Sequence, residues 1–589
     1  MQKAAAGCEY RILSSKLPIK LILNMFLKPF RISLLAVTLL TIAHGALAQT
    51  AVKESSKGWH MMDPQKDGVY GIGVEKLYET ILKDKKPKQM VVVAVIDSGI
   101  DTTHEDLKPV LWKNPGELPG NGMDDDKNGY VDDVYGWNFL GNKDGRNVTK
   151  DSYEAARVYY KFKPKYGKDG LDENALSTDE KEELRLFLKA KGQIESQAKE
   201  AGMYVIFLKN IVEKLPSADS ILKSALGRET YTGDELLAFK AQNPDQTKAK
   251  STLMGLFQQT QQMENSNKVL IEGITEFYNG EKSKIEAAEK EPFNYRGSVV
   301  GDKYDDPTDR FYGNSDVMAT TSMHGTHVAG IIAASRTNDK GIKGVANSVR
   351  IMMLRAVPDG DEHDKDIANA IRYAVDNGAL VINMSFGKSF SPEKKWVDEA
   401  VRYAESKGVL LVHAAGNDGK NIDENDNFPN ARYDNNAATK ASNWITVGAS
   451  GPTTKDLVAS FSNYGKDVDV FSPGVEIYST LPGGNEYGNQ QGTSMASPVT
   501  AGIAALILSY YPELSARQVK YVIEKSTTPV PSIMVTKPGT EEEVKLEEIS
   551  KTGGIVNAYE AVKLAGTLKG ERVQPKPLPK STLKKSGKG

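Results

Sequence analysis

Val349-Arg350-Ile351-Met352-Met353-Leu354, a helical pattern from Asp364 to Asn377, Leu380-Val381-Ile382-Asn383-Met384-Ser385-Phe386, a second helical pattern from Lys394 to Lys407, and the run Val409 to Ala415 decide the fold. Short β-branched and apolar runs read as strands buried on both faces, and the longer segments between them are the crossovers that parallel strands require. This alternation predicts an α/β protein with a doubly wound parallel sheet. Toward the C-terminus, shorter strands at Trp444 to Val447 and Val468 to Phe471 and helices at Ser494 to Tyr511, Ser515 to Lys525 and Asn557 to Ala565 close the unit. Toward the N-terminus, Met90-Val91-Val92-Val93-Ala94-Val95-Ile96 is a further buried strand, preceded by a helix at Val74 to Tyr78.

Between these halves the texture changes. Residues 151–299 are rich in Lys, Glu and Gln and lack strand runs, while Val205, Leu208, Ile211, Val212 and Leu215 fall on one helical face, as do Leu253, Leu256 and Phe257. The expected organisation is therefore a signal peptide (1–48), an N-terminal segment (49–88), a first part of the α/β domain (89–150), an inserted mainly α-helical subdomain (151–299), a second part of the α/β domain (300–568) and a disordered basic tail (569–589).

Lys28 and Arg31 precede the apolar run Ile32 to Ala43, and Ala46-Leu47-Ala48 supplies small residues for cleavage after Ala48. The run is too short to span a bilayer, which predicts a secreted or periplasmic protein with no membrane partner after signal removal. The single cysteine, Cys8, lies in that leader, so disulfides, thiol nucleophiles and thiolate metal sites are excluded from the mature chain. With a net charge of −2, nothing points to nucleic acid.

Chemistry concentrates in four places. Val91 to Ile96 ends in Asp97-Ser98-Gly99, a carboxylate at the C-terminal end of a buried strand, where open α/β sheets place their ligands. An aspartate there can equally cap the next turn. His324-Gly325-Thr326-His327-Val328-Ala329-Gly330 starts a small-residue helix with a histidine at its entrance, whereas His327, one turn on, faces the core. Gly492-Thr493-Ser494-Met495-Ala496-Ser497-Pro498 delivers a serine to a helix N-terminus. Unpaired N–H groups there favour a developing oxyanion, although most serines at such turns are only caps. Ala415-Gly416-Asn417 follows a strand and offers a side-chain amide at the same sheet edge. A serine needs a base to take its proton, and the imidazole base needs a carboxylate to orient it; Asp97, His324 and Ser494 supply these parts, with Asn417 as oxyanion donor. Separately, Asp124, Asp126, Asn128, the Tyr130 carbonyl and Asp132 hold alternate positions of a calcium-type loop turned at Gly129, though Tyr135 stands where a glutamate is expected.

Together the four motifs, in this order, resemble the subtilisin-like serine proteases, the subtilases. The resemblance covers residues 90–140 and 300–565 and implies an endopeptidase acting on polypeptides through an acyl-enzyme. It also implies that Ser385, Phe386 and Gly387 form the strand edge that pairs with substrate, that Asn427 lies at the base of the specificity pocket, and that Asp106 and Asn338 contribute to a family calcium site. The acidic stretch Asp423 to Asp426 reads either as a pocket for basic side chains or as a solvated loop. Two departures stand out: Gln49 to Asp97 leaves no room for a folded inhibitory propeptide, and residues 151–299 intervene between Asp97 and His324. Competing expectations are a catalytically silent subtilase scaffold that binds peptides or proteins, and a calcium-dependent adhesive protein.

Overall fold

The computed structural model describes residues 57–572 except 169, 261, 320, 321, 437, 531 and 532. The predicted cleavage site after Ala48 and residues 573–589 of the predicted tail lie outside the described residues. Thirteen strands follow in chain order: β1 (Val91–Asp97), β2 (Gly136–Asn138), β3 (Val349–Arg355), β4 (Val381–Met384), β5 (Leu410–Ala414), β6 (Trp444–Ser450), β7 (Val470–Pro473), β8 (Ile477–Leu481), β9 (Glu486–Gln490), β10 (Thr528–Pro529), β11 (Met534–Thr536), β12 (Glu543–Lys545) and β13 (Gly554–Ile555). Nine of them form one sheet in the order β10-β13-β7-β6-β5-β4-β1-β3-β2, parallel except for the β10–β13 edge pair. Two antiparallel hairpins, β8–β9 and β11–β12, stand apart from it.

The helices are α1 (Pro64–Asp67), α2 (Val74–Glu79), α3 (Glu154–Tyr166), α4 (Thr178–Val212), α5 (Leu215–Leu226), α6 (Gly233–Ala238), α7 (Pro244–Gln259), α8 (Asn267–Glu289), α9 (Tyr295–Val299), α10 (Met323–Ala333), α11 (Asp364–Asp376), α12 (Lys394–Ser406), α13 (Thr493–Tyr510), α14 (Ala516–Lys525) and α15 (Ala558–Ala565). One face of the sheet packs on α10, α13, α14 and α15 through Val93, Ile351, Val412, Ile331, Val499 and Ile503. The other face packs on α11 and α12 through Ile96, Leu354, Leu411, Ile371 and Val401. Both faces of the central strands are thus dry, which is why they read as continuous apolar runs rather than alternating ones. The expected doubly wound α/β architecture is present.

Among the described residues, seven helices, α3–α9, lie between β2 and α10. Leu222, Leu253, Phe257 and Leu270 give α5, α7 and α8 a core of their own. The single helical face expected over Val205 to Leu215 is corrected: α4 ends at Val212 and a new helix starts at Leu215, with Pro216 accommodated in its first turn. Val205, Leu208, Ile211 and Val212 are half-buried and Leu215 is buried, whereas Ile206 and Phe207, which lie off that face, are 76% and 60% exposed. Residues 569–572, expected to begin a tail, are instead held: the Arg572 N–H donates to Glu513 O at 2.9 Å and Gln518 Nε2 donates to Lys569 O at 2.7 Å.

Candidate active site

β1 is flanked by β3 on one side and β4 on the other, so its C-terminal end opens into the crevice that such a reversal of strand order creates. Asp97 is the last residue of β1 and is 1% exposed. His324 stands in the first turn of α10, with Nδ1 2.7 Å from Asp97 Oδ1. A carboxylate only accepts, so this bond places the imidazole proton on Nδ1 and leaves Nε2 free to take one. The approach depends on Gly325, where a Cβ would stand 2.1 Å from the Gly99 carbonyl oxygen. Burial disfavours the imidazolium, yet Asp97, with a smaller pull from Glu276, holds the His324 pKa above its ordinary value. His327 is buried with Nε2 3.0 Å from Gly488 O, and burial pushes its pKa down to about 3, which fits a core residue.

Ser494 is the second residue of α13. Its hydroxyl donates to Ser385 O at 3.1 Å, while Ser385 Oγ donates back to Ser494 O at 2.9 Å. The nucleophile candidate therefore rests against the segment after β4 rather than on His324, and rotation about χ1 redirects it. The Thr493 N–H and Oγ1 both donate to Asn417 Oδ1 at 2.9 Å. Because an N–H can only donate, the Asn417 amide is oriented with its oxygen toward Thr493 and Nδ2 directed away from it. Thr493 Oγ1 in turn accepts from the Gly416 N–H at 3.1 Å, tying the loop after β5 to the start of α13.

The predicted substrate-binding residues meet beside Ser494. His413 Nε2 lies 2.8 Å from Phe386 O, and Asn427 Nδ2 donates to Ala415 O at 2.9 Å. A Cβ on Gly387 would approach Asn427 Oδ1 to 2.6 Å, so glycine lets these two walls close. The Asp423 carboxylate accepts from the Lys466 and Asp467 N–H groups, and Asp426 pairs with Lys189 at 2.7 Å. The acidic stretch is thus spent on loop structure.

A family model described as the subtilase family matches residues 88–548. The chain belongs to the subtilase family of serine proteases. It is 47% identical over 187 residues to a thermophilic serine proteinase of Bacillus sp. strain AK1, covering 32% of this chain and 42% of that protein. It is 36% identical over 258 residues to thermitase of Thermoactinomyces vulgaris, covering 43% of this chain and 79% of that one. Among solved structures it is similar to a protease from Pseudoalteromonas arctica, at 32% identity and a TM-score of 0.34, covering 41% of this chain and 70% of that chain.

The candidate calcium loop of this subtilase gathers a different set of oxygens from the one expected. Carboxylate oxygens of Glu117, Asp124 and Asp126 lie within 4.8 Å of one another. Asp132 is turned away, accepting from the Gly120, Asn121 and Gly122 N–H groups. Asn128 Oδ1 accepts from the Tyr130 N–H, and its Nδ2 donates to Asp126 and Asp133. Glu117 Oε2 is buried without a hydrogen-bond partner, and burial raises the Glu117 pKa. An orphaned buried carboxylate oxygen facing two more carboxylates fits a hard cation. At the second expected site Asn338 Nδ2 donates to Asp106 Oδ1, and Asp106 Oδ2 accepts from the Tyr487 hydroxyl at 2.8 Å. Arg336, Lys340 and Lys343 line the same loop together with Asp339, Arg336 pairing with Glu75 and Lys340 with Glu105, so both Asp106 oxygens are engaged by protein donors at this site.

Sequence reasoning missed Glu117 because it precedes the loop and belongs to no spacing. It also missed Glu276 on α8, whose charge reaches His324. Nothing local distinguishes that glutamate from its many neighbours.

Proposed function

We propose that this subtilase is a secreted endopeptidase that hydrolyses peptide bonds through an acyl-enzyme on Ser494. Substrate in extended form pairs with the edge at Ser385 to Gly387, where main-chain hydrogen bonds tolerate varied sequence, and Asn427 closes the base of the pocket for one side chain. Ser494 Oγ attacks the carbonyl carbon as its proton passes to His324 Nε2, and Asp97 keeps the imidazole in the required tautomer and stabilises the imidazolium. Negative charge develops on the carbonyl oxygen, where Asn417 Nδ2 and the Ser494 N–H donate to it. His324 then returns the proton to the departing amine, the C–N bond breaks, and water repeats the sequence to release the acid.

The 2.7 Å bond between Asp97 and His324, at the sheet edge that also carries Ser494 and Asn417, supports this reading most directly. Calcium, held by Glu117, Asp124 and Asp126, would cross-link the loop that follows β1 and take no part in the bond-breaking steps. Export rests on the leader before Gln49. The test is hydrolysis of denatured casein by the exported protein and by Ser494→Ala: activity lost in the variant with its fold intact supports the assignment, and activity retained refutes it. N-terminal sequencing of the exported chain is expected to begin at Gln49.

A further inference from the structure

Helix α8 is tied at its start to β9, which leads to Ser494, and at its end to an apolar cluster that includes Phe390, which follows the predicted substrate-binding segment. Immediately before it, the wholly buried Asn265 makes two bonds to one backbone residue of β9. Its Oδ1 accepts from the Asn489 N–H at 2.8 Å, and its Nδ2 donates to Asn489 O at 3.1 Å. β9 ends at Gln490, a few residues before Ser494. Midway along α8, Glu276 interacts through its charge with His324, and one turn later Gly280 lies against the Tyr153 hydroxyl. At the far end Ala287 packs against the cluster of Ala155, Ala190, Ile194 and Phe390, and Phe390 stands three residues after Gly387. The 23 residues of α8 make a rod about 35 Å long, enough to pass from wall to wall.

Its partner α4 runs antiparallel to it: Tyr204, late in α4, meets Phe277 in the middle of α8, while Ala190 and Ile194, earlier in α4, share an apolar cluster with Ala287 near the end of α8. α4 is fixed at the same far wall: Lys189 Nζ donates to Ser389 O at 3.3 Å and pairs with Asp426. Beneath it the buried Lys388, next to Gly387, binds Glu154 of α3 at 2.8 Å and Asp364 of α11 at 2.9 Å. The near wall thus holds the start of α8 through the buried Asn265, and the far wall holds the pair through the half-exposed Lys189 bonds and the apolar packing around Phe390; ties at both ends make a strut and not a free lid.

We propose that the α4–α8 pair is a fixed bar across the mouth of the catalytic crevice, admitting extended, unfolded polypeptide and excluding folded proteins. The inference rests on the endopeptidase reading. An extended strand needs only a narrow passage, whereas a segment of a folded protein must first unfold locally to thread beneath a rod tied at both ends. The same pair exposes Met203, Ile206, Phe207 and Phe277, an apolar face suited to chains whose own apolar residues are not yet buried.

The test compares kcat/KM for one globular protein in native form, the same protein denatured, reduced and alkylated, and a short chromogenic peptide. The wild type is expected to prefer the denatured form by at least about 100-fold. Lys189→Ala/Ile194→Ser, which frees the far end, is expected to cut that preference at least about tenfold while the short-peptide rate stays within about twofold. An unchanged preference overturns the bar. Glu276→Gln gives a second reading that does not depend on loosening the fold. His324 is faced by Asp97 of β1, Glu276 of α8 and His327 of its own helix, so removing the Glu276 charge alone must move the acid limb of kcat/KM to lower pH. A limb that stays in place means that α8 does not lie over His324, and the proposal fails. Absence of any cleavage, including the short peptide, would instead strike the endopeptidase reading.

Discussion

Asn417 is the residue whose contribution separates most cleanly from folding. Its Oδ1 is held twice by Thr493, while Nδ2 makes no bond among the described residues, so replacing it removes a donor without leaving a buried partner other than the Thr493 pair at the helix start. The transition-state oxyanion meets this donor and the ground-state carbonyl does not, which places the loss in kcat and not in KM. Loss of one such donor in a subtilisin costs about 10²–10³-fold in turnover. Asn417→Ala is therefore expected to lower kcat by about that factor with KM changed less than about threefold. Full kcat in a correctly folded variant would remove Asn417 from the mechanism. His324 sets the pH at which this is measured: its pKa lies above the ordinary histidine value, so the comparison belongs on the alkaline plateau, where the imidazole is neutral.

At the scale of elements, the loop between β1 and β2 is where a ligand changes stability. Glu117, Asp124 and Asp126 crowd three carboxylates together, an arrangement that repels itself unless a cation joins it. A ligand bound only by the folded state stabilises by about 2.7 kcal/mol when present at about 100 times its Kd. Calcium is thus expected to raise the unfolding midpoint of Ser494→Ala and a chelator to lower it, and Glu117→Gln is expected to abolish most of that difference. A midpoint indifferent to calcium in the parent protein refutes the site. The contrast between this loop and the catalytic motifs explains what was legible beforehand. The central strands, α10 and α13 follow from local periodicity, and each catalytic residue sits inside a contiguous run of small or apolar residues. Glu117, Asn265 and Glu276 act through contacts made only when distant segments meet, and no spacing announces them. The β8–β9 hairpin was illegible for another reason. Although its partner β8 buries Ile477 in the main core, Glu486-Tyr487-Gly488-Asn489-Gln490 carries no aliphatic residue, so no hydrophobic alternation marks it as a strand.

Across the whole molecule, buried histidines and one buried glutamate set opposite limits on stability. His60, His327 and His413 are each at most 2% exposed, and burial holds their pKa values at about 4, 3 and 4. In the unfolded chain they titrate near 6.5, so the unfolded state binds more protons between about 4 and 6.5 and stability rises with pH across that window. Each contributes up to about 1.4 kcal/mol per pH unit where its two states differ fully. Glu362 works the other way. Burial pushes its pKa up to about 8, so the folded state binds the extra proton from about 4.5 upward and stability falls as pH rises toward 8. Three histidines outweigh one glutamate below about 6.5, and above it Glu362 acts together with His324, whose raised pKa likewise lets the folded state keep a proton that the unfolded chain has lost. The urea midpoint of Ser494→Ala, which cannot digest itself, is therefore expected to peak near pH 6.5, to fall steeply toward pH 4 and gently toward pH 8. A midpoint flat between pH 5 and 6.5 would refute the histidine account. Turnover follows a different curve, because neutral His324 is favoured by the same rise in pH that erodes the contribution of Glu362. The protein is thus expected to work fastest on the alkaline side of its own stability maximum.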